Sequence, residues 1–391
     1  MRGPLEGIRV FDLTLIMVGP WSTMHLGALG ADVIHVERPD AARISFGGGI
    51  PPYINGTSIG HITWNMNKRQ TFFDLKAEFD NDMARKLLAT CDVFVDNMRP
   101  GVADRLGLSY EALSELNPGI AYCTICGWGT TGPISDRTAA DPQIQAFTGF
   151  AGNSGPEGGR AEVYRHFTQM DATTGNYATM AIIMALLQRE RTGKGQRIDL
   201  NMVQAATAAQ ATKIGEYLAT GEQPPLLGSA SSTVAPSEAF LCEAGLYLGV
   251  QATTNQQWHA LCDALGLELG KDPRFETVAG RVAGRKEISA ALAAVFATKP
   301  ARWWQLKLGK AGVPNARILS FEELIHHPQV TENHYIENVH TEAWGDVYAT
   351  GLPWTFSRTP ATVLPVSEPG KHTSEILDEI MSRDAAEAVA G

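Results

Sequence analysis

The sequence predicts an α/β protein, with a large domain built on a parallel sheet followed by a smaller α+β unit. Three observations carry that reading. Short apolar runs alternate with amphipathic segments through the first half of the chain, the order that lays helices on both faces of a parallel sheet. Proline, glycine and serine cluster in EQPPLLGSASST, residues 222–233, which marks a boundary. A length of 391 residues exceeds one ordinary core and suits two domains.

The elements follow in order. GIRVFDLT is a short apolar strand, GPWSTMHLGALG a loop and helix, and ADVIHVERPD a second strand ending in charge, which together make a β-α-β unit. DMARKLLATC reads as an amphipathic helix and DVFVDNMRPG as a strand ending in a polar turn. SYEALSELNP is a helix closed by Pro118, and GIAYCTICGWG is a further strand. Polar turns after the strands converge on the carboxyl edge, where open sheets of this Rossmann-like kind bind ligands. A helix then runs from Asp171 to about Arg191, TGKG turns the chain, QRIDLNM alternates as a strand, and VQAATAAQATKIGEYLATG leads out helically. The large domain is expected over 1–215 and the small one over 225–325, with a strand in GLYLGVQA and helices in NQQWHALCDAL and RKEISAALAAVFA. Residues 326–391 are a linker and C-terminal return to the large domain, ending in the helix TSEILDEIMSRDAAEAVA.

Composition narrows the function classes. With 44% hydrophobic and 19% charged residues the chain is globular rather than disordered or fibrous. A net charge of −10 leaves no overall basic field for nucleic acid or an anionic membrane, so any anionic ligand must be met by local cations. The start, MRGPLEGIRVFDLT, has no apolar core of a leader, and no apolar run approaches the ~20 residues of a membrane span, so a cytoplasmic protein is expected. Five cysteines argue against a disulfide framework. Cys123 and Cys126 form a CxxC, but without a second metal-ligating pair they read as buried structural thiols. The first β-α-β turn, LTLIMVGPW, lacks the GxGxxG that brings a backbone to a pyrophosphate, which argues against a nicotinamide dehydrogenase.

One carboxylate stands out. In QMDATTGNYATMAIIMALL, Asp171 opens an otherwise small, apolar and hydroxylated helix. Asp in that place is by default a cap, and the positive helix end is expected to lower its pKa and keep it anionic at neutral pH. The small residues Ala172, Thr173, Thr174 and Gly175 leave room for a bulky ligand beside it.

Four segments in colinear order carry a resemblance. They are PLEGIRVFDLT…GP…LGALGADVIHVERP, NMNKRQTFFDLK, DVFVDNMRPGVADRLGLSYEALSELNPGIAY, and TGPISDRTAADPQIQAFTG running on through MDATTGNYATMAIIMALLQRERTGKGQRIDLNM. DPRFETVAGRVAGR, AGVPNARI and KHTSEIL extend the match beyond residue 205. Together they resemble the class III CoA-transferase family (CaiB/BaiF type), which includes formyl-CoA transferase, carnitine CoA-transferases and the alpha-methylacyl-CoA racemases. The resemblance implies an acyl-CoA:carboxylate CoA-transferase with Asp171 as covalent nucleophile, working through aspartyl anhydride and aspartyl-CoA thioester intermediates. It implies coenzyme A, as an acyl-CoA substrate, and no metal, with an acyl-CoA donor and a carboxylic acid acceptor as partners. Residues matching the family's CoA-contact positions are Met17, Val18, Arg38, Asn65, Met66, Asn67, Lys68, Asn97, Met98, Arg99, Arg105, Arg137 and Thr138. Arg38, Lys68 and Arg105 are read as strand-end cations on one edge of the sheet. Backbone amides near the helix start or a glycine loop would hold the oxyanions.

The sequence also departs from its relatives. Racemases of the family use a His followed by an Asp before the later catalytic helix, and here TAADPQ puts Ala140 in the place of the His while Asp141 remains. His166 is the nearest candidate substitute for that second base. Formyl-CoA transferase has Gln where this chain has Met17, and small-domain glycines where it has LLGSASSTVAPSE, which disfavours oxalate or formate. Met17, Trp21, Trp64 and the loop Ser229 to Pro236 are expected to line a more apolar acyl pocket. An interlocked homodimer is the implied assembly. The rival readings are an acyl-CoA racemase or isomerase working by alpha-proton abstraction, and a non-catalytic CoA-binding protein.

Overall fold

The computed structural model describes residues 3–40, 50–165 and 167–390. The chain divides into two compact units, one of Met1–Thr148, Tyr164–Ala211 and Gln329–Gly391, the other of Gly149–Val163 and Thr212–Pro328. The first unit is built on six parallel strands: β1 (Arg9–Leu13), β2 (Asp32–Glu37), β3 (Lys68–Phe72), β4 (Val93–Asp96), β5 (Ala121–Cys126) and β6 (Gln196–Asn201). Their spatial order is β3-β2-β1-β4-β5-β6, so the direction of winding reverses between β1 and β4. A crevice therefore opens at the carboxyl ends of these two strands, where Leu13 pairs with Asp96. The inner strands β1, β2, β4 and β5 are buried on both faces, as a doubly covered sheet requires. Phe11, Ile34, Phe94 and Tyr122 point into one core, closed by α2 (Glu78–Leu88) and the C-terminal α11 (Thr373–Ala390). Val10, Val33, Val93, Val95 and Cys123 point into the other, closed by α1 (Val18–Ala28) and α5 (Gln169–Thr192).

Helices α1 and α5 cross closely because Gly175 has no side chain. A Cβ there would meet the Val18 carbonyl oxygen at 2.7 Å and Trp21 at 2.9 Å. That contact seats the first turns of both helices over the crevice. Helices α3 (Tyr110–Leu116) and α4 (Asp141–Phe147) precede α5, and α6 (Met202–Ala209) follows β6. The antiparallel hairpin β10 (Ile336–Thr341) and β11 (Gly345–Thr350) also belongs to this unit. Arg69 donates to Asp32 and to Glu375 and Glu379, which ties α11 to the amino edge of the sheet.

In the second unit β7 (Ser237–Leu241), β8 (Tyr247–Gln251) and β9 (Asn315–Arg317) form an antiparallel sheet in the order β9-β8-β7. Helix α7 (Ala211–Thr220) leads towards it, and α8 (Asn255–Leu265), α9 (Arg285–Phe296) and α10 (Ala301–Lys310) supply the core residues Trp258, Leu261, Leu292, Phe296 and Trp304. Buried Arg281 donates to the Ala235 and Phe275 carbonyls and lies over the Trp258 ring.

One strand lies outside those expected from the sequence. Lys68–Phe72 is a strand, although KRQTF reads as polar, because its lysine is buried and paired beneath the sheet's carboxyl half. Cys123 and Cys126 lie three residues apart in β5 and so face opposite sides of the sheet; neither forms a disulfide. Among the described residues no group of His, Cys, Asp and Glu is placed to hold a metal ion, and no helix is long and apolar enough to cross a membrane.

Four ionisable side chains are buried together under the crevice. Asp12 Oδ2 lies 3.0 Å from Lys68 Nζ and 3.1 Å from His35 Nδ1, and His35 Nε2 lies 3.1 Å from Glu37 Oε1. Burial opposes the charge on His35, yet Asp12 and Glu37 push it up from its ordinary 6.5 to about 8. A histidine whose folded pKa lies above its unfolded value stabilises the fold fully below about 6.5 and loses that contribution as pH rises through about 8. Wild-type stability is therefore expected to fall by about 1.5 kcal/mol more than that of His35→Gln between pH 6.5 and 8.5, in urea unfolding followed at both pH values.

Candidate active site

Helix α5 starts two residues before Asp171, so Asp171 is its third residue and not its cap. The residue before the helix, Thr168, directs its hydroxyl to Met17 Sδ instead of capping. Capping comes from Asp141 at the start of α4. Its Oδ2 accepts the Met170 N–H at 2.6 Å and the Asp171 N–H at 3.3 Å. Gln145, one turn along α4, donates to Asp141 Oδ1, and it also exchanges hydrogen bonds with the Tyr164 backbone at 2.8 and 3.0 Å. Asp141 is thus 97% buried with both oxygens occupied, fixed against the start of α5.

This arrangement reverses the expected pKa of Asp171. The helix's first amides are spent on Asp141, so they do not stabilise a second carboxylate. Burial, with the Asp141 charge adding to it, pushes Asp171 up from 3.8 to about 7. Close to neutrality the side chain then exists both as acid and as carboxylate, and the carboxylate is more basic than an ordinary aspartate.

Asp171 opens on a cavity of about 210 Å³ whose wall includes Leu15, Ile16, Met17, Val18, Asn97, Met98, Arg99, Cys126, Arg137, Thr138 and Ala140. Seven residues expected from the sequence, Met17, Val18, Asn97, Met98, Arg99, Arg137 and Thr138, therefore meet at one place with Asp171. Asn97 braces the wall by accepting the Leu15 N–H at 2.8 Å and donating to the Leu15 carbonyl at 2.7 Å. Arg99 donates to Thr138 Oγ1 at 3.1 Å. A second cavity of about 360 Å³ adjoins the first through Leu15, Met98 and Arg99, and it takes in Arg38, Phe73, Leu75 and Lys76. Arg105 lies beyond, on an exposed groove shared with Lys76 and Arg85.

Asn65, Met66, Asn67 and Lys68 are not brought to this edge. Lys68 opens β3 where a strand-end cation was expected, and its ammonium is buried against Asp12 and the Asn65 amide oxygen at 2.9 Å. Met66 packs in an apolar cluster with Met24, Ile62 and Trp344. Asn67 and Lys68 line a separate cavity with Arg69 and His372 at the amino side of the sheet. The residues that do reach the site from this stretch are Phe73 to Lys76, after β3 ends at Phe72. The signal was present in the same phrase, NMNKRQTFFDLK, eight residues further on.

Ala140 lies in the cavity wall with Asp171, so no imidazole occupies that position. His166, the candidate substitute, lies outside the described residues. Of the side chains expected to line an apolar acyl pocket, Met17 lies in the wall of the Asp171 cavity. Trp21 instead donates to Asn176 Oδ1 at 2.9 Å and Trp64 packs at Gly60, while Ser229 to Pro236 belong to the second unit.

Comparison with known proteins decides the family. The model described as CoA-transferase family III matches residues 5–373. The chain belongs to that family. Succinyl-CoA:glutarate CoA-transferase of Mus musculus is 35% identical over 97% of this chain and 87% of its own length. Succinate--glutarate CoA-transferase of Agrobacterium fabrum is 31% identical over 97% of this chain and 96% of its own. Formyl-CoA:oxalate CoA-transferase of Streptomyces avermitilis is 30% identical over 96% and 95%. A crystal structure of a CaiB/BaiF family protein from Brucella suis superposes with a TM-score of 0.85 at 31% identity, covering 97% of this chain and all of that one. This family III CoA-transferase is thus an enzyme whose relatives exchange CoA between carboxylic acids.

The raised pKa gives a test of the site that needs no substrate. A carboxyl whose folded pKa exceeds its unfolded value destabilises the fold fully above the folded value and not at all below the unfolded one. Asp171→Asn is expected to stabilise the protein by about 2 kcal/mol at pH 8 and by clearly less at pH 5, read from denaturant midpoints.

Proposed function

We propose that this enzyme is an acyl-CoA:carboxylate CoA-transferase that reacts through covalent intermediates on Asp171. The observation that carries the reading is a half-buried carboxylate of raised pKa on a cavity walled by Arg99 and Arg137, next to a second cavity that presents Arg38 and Lys76. The cations meet the need of an acidic protein to hold the phosphates of CoA locally. The raised basicity makes the carboxylate a better nucleophile towards a thioester than an ordinary aspartate.

In the proposed reaction an Asp171 oxygen attacks the thioester carbonyl, and the C–S bond breaks to give an aspartyl-acyl anhydride and CoA thiolate. The thiolate attacks the Asp171 carbonyl carbon, leaving an aspartyl-CoA thioester and releasing the donor acid as its carboxylate. An incoming carboxylate runs the two steps in reverse. Oxyanion donors are drawn from the start of α1, because the helix-start amides of Met170 and Asp171 are already bound to Asp141. Val18, the first residue of α1, lines the cavity, and its amide is assigned that role. Asp141, with both oxygens accepting, is assigned to positioning and not to proton transfer. Ala140 in the cavity wall, which no imidazole lines among the described residues, counts against two-base racemisation.

The names of the relatives make short dicarboxylic acids the first donors and acceptors to try. A homodimer is proposed as the working assembly. In support, α5 exposes Met180, Met184 and Leu187 along one side, 52–59% accessible, a stripe that a lone soluble chain does not favour. Met184→Glu is expected to shift the protein to a smaller species in analytical ultracentrifugation at micromolar concentration.

Incubation with succinyl-, glutaryl-, acetyl- and oxalyl-CoA, followed by peptide mass analysis with and without hydroxylamine, tests the chemistry. A CoA-sized adduct or a hydroxamate is expected on the peptide carrying Asp171, with Asp171→Ala losing at least about 1000-fold in turnover. Lys76→Ala is expected to raise KM for acyl-CoA about tenfold with kcat nearly unchanged. Binding of every acyl-CoA without modification of Asp171 would sink the covalent mechanism, and deuterium exchange at the alpha carbon would then support the isomerase.

A further inference from the structure

The turn between β1 and α1 supplies Leu15, Ile16 and Met17 to the Asp171 cavity, and its backbone is strained. Ile16 is β-branched yet sits at φ 69°, in the left-handed region that a branched Cβ opposes. Its side chain is 71% exposed, so burial of that side chain does not hold the turn. Asn97 braces the backbone of Leu15, and a second hold comes from beneath. Fully buried Thr14 donates its N–H at 3.0 Å and its hydroxyl at 2.5 Å to Asp12 Oδ1. Asp12 Oδ2 in turn takes the Thr23 hydroxyl at 2.6 Å and the Lys68 ammonium at 3.0 Å. The first turn of α1 rests on the same threonine, since a Cβ on Gly19 would lie 2.3 Å from Thr14 Cβ.

We propose that the buried Asp12–Lys68 pair is a positioning device: it pins Thr14 and thereby holds the Leu15–Met17 turn, and the start of α1, against the Asp171 cavity. The proposal rests on the reading of Asp171 as the reacting group. Stability alone does not account for the pair, because a buried ion pair usually adds little over apolar residues of the same volume. What a carboxylate provides here is acceptor capacity: one side chain takes a backbone N–H, two hydroxyls and an ammonium at once. That ties Thr14, beside the turn, to Thr23 of α1 and Lys68 of β3 through one buried carboxylate.

Thr14→Val keeps the volume and both charges and removes one of the two bonds to Oδ1. Two readouts are taken, the rate of Asp171 adduct formation and the rate at which a thiol reagent modifies Cys126, which lines the same cavity and is the half-buried one of five cysteines. Thr14→Val is expected to slow adduct formation about tenfold, with KM for acyl-CoA little changed, and to change the Cys126 rate. Ile16→Gly, which relieves the strain, is expected to raise the melting temperature while slowing adduct formation, opposite signs that a purely structural turn would not give. Wild-type adduct and Cys126 rates in both variants would overturn the proposal. If wild type itself forms no Asp171 adduct, the reading of the reaction fails, and the Cys126 rate in Thr14→Val still decides the positioning: altered upholds it, unchanged overturns it.

Discussion

Much of the site depends on one interaction, the Asp141 carboxylate accepting the first free amides of α5. A helix start carries a partial positive charge that favours whichever anion binds it. Here that anion is Asp141, supplied from another helix and locked by Gln145. Asp171, the third residue of the helix, is left with desolvation and a like charge, both of which raise its pKa. Had Asp171 been the cap, the same helix would have made it a poor nucleophile. With capping supplied by a second aspartate, a carboxylate at a helix start can be basic.

The parallel sheet decides which residues surround that carboxylate. Strand order reverses between β1 and β4, so the turns after these strands and after β2 and β3 gather on one edge. Direction of the chain through a strand then matters as much as position in sequence. Lys68 and Lys76 flank the same strand, yet the first lies buried beside Asp12 and the second lines the outer cavities. The exposed lysine remains free to meet an anion at the carboxyl edge, whereas the buried one has its charge matched within the fold.

Much of this was legible in the sequence. The alternation of apolar runs and amphipathic helices predicts five of the six strands and the helix carrying Asp171, because a doubly covered sheet leaves long apolar signals. Seven expected residues meet Asp171 in one cavity, since turns after β1, β4 and β5 must converge. What stayed illegible has a common cause. KRQTF hides a strand because its lysine is neutralised by a partner 56 residues away, and Asp171 looks like a cap because the true cap lies 30 residues earlier. Pattern reading weighs a residue by its neighbours in sequence, and both misreadings concern charges whose partners are distant.

The two populations of charge have different physical tasks. Asp12, His35, Glu37 and Lys68 are nearly or fully buried, and with His35 protonated they sum to zero, so the interior bears no net field while its geometry is fixed by short contacts. Arg38, Lys76, Arg99, Arg105 and Arg137 are exposed, and against a chain charge of −10 they form the positive patch at the carboxyl edge. Interactions of exposed cations weaken with salt over about 10 Å, whereas buried pairs are screened far less. Ligand capture at this edge is therefore sensitive to ionic strength, and the shape of the turn that walls the Asp171 cavity is not. An acidic chain can in this way present exposed cations in the walls of the Asp171 cavity while the charges buried beneath it stay matched.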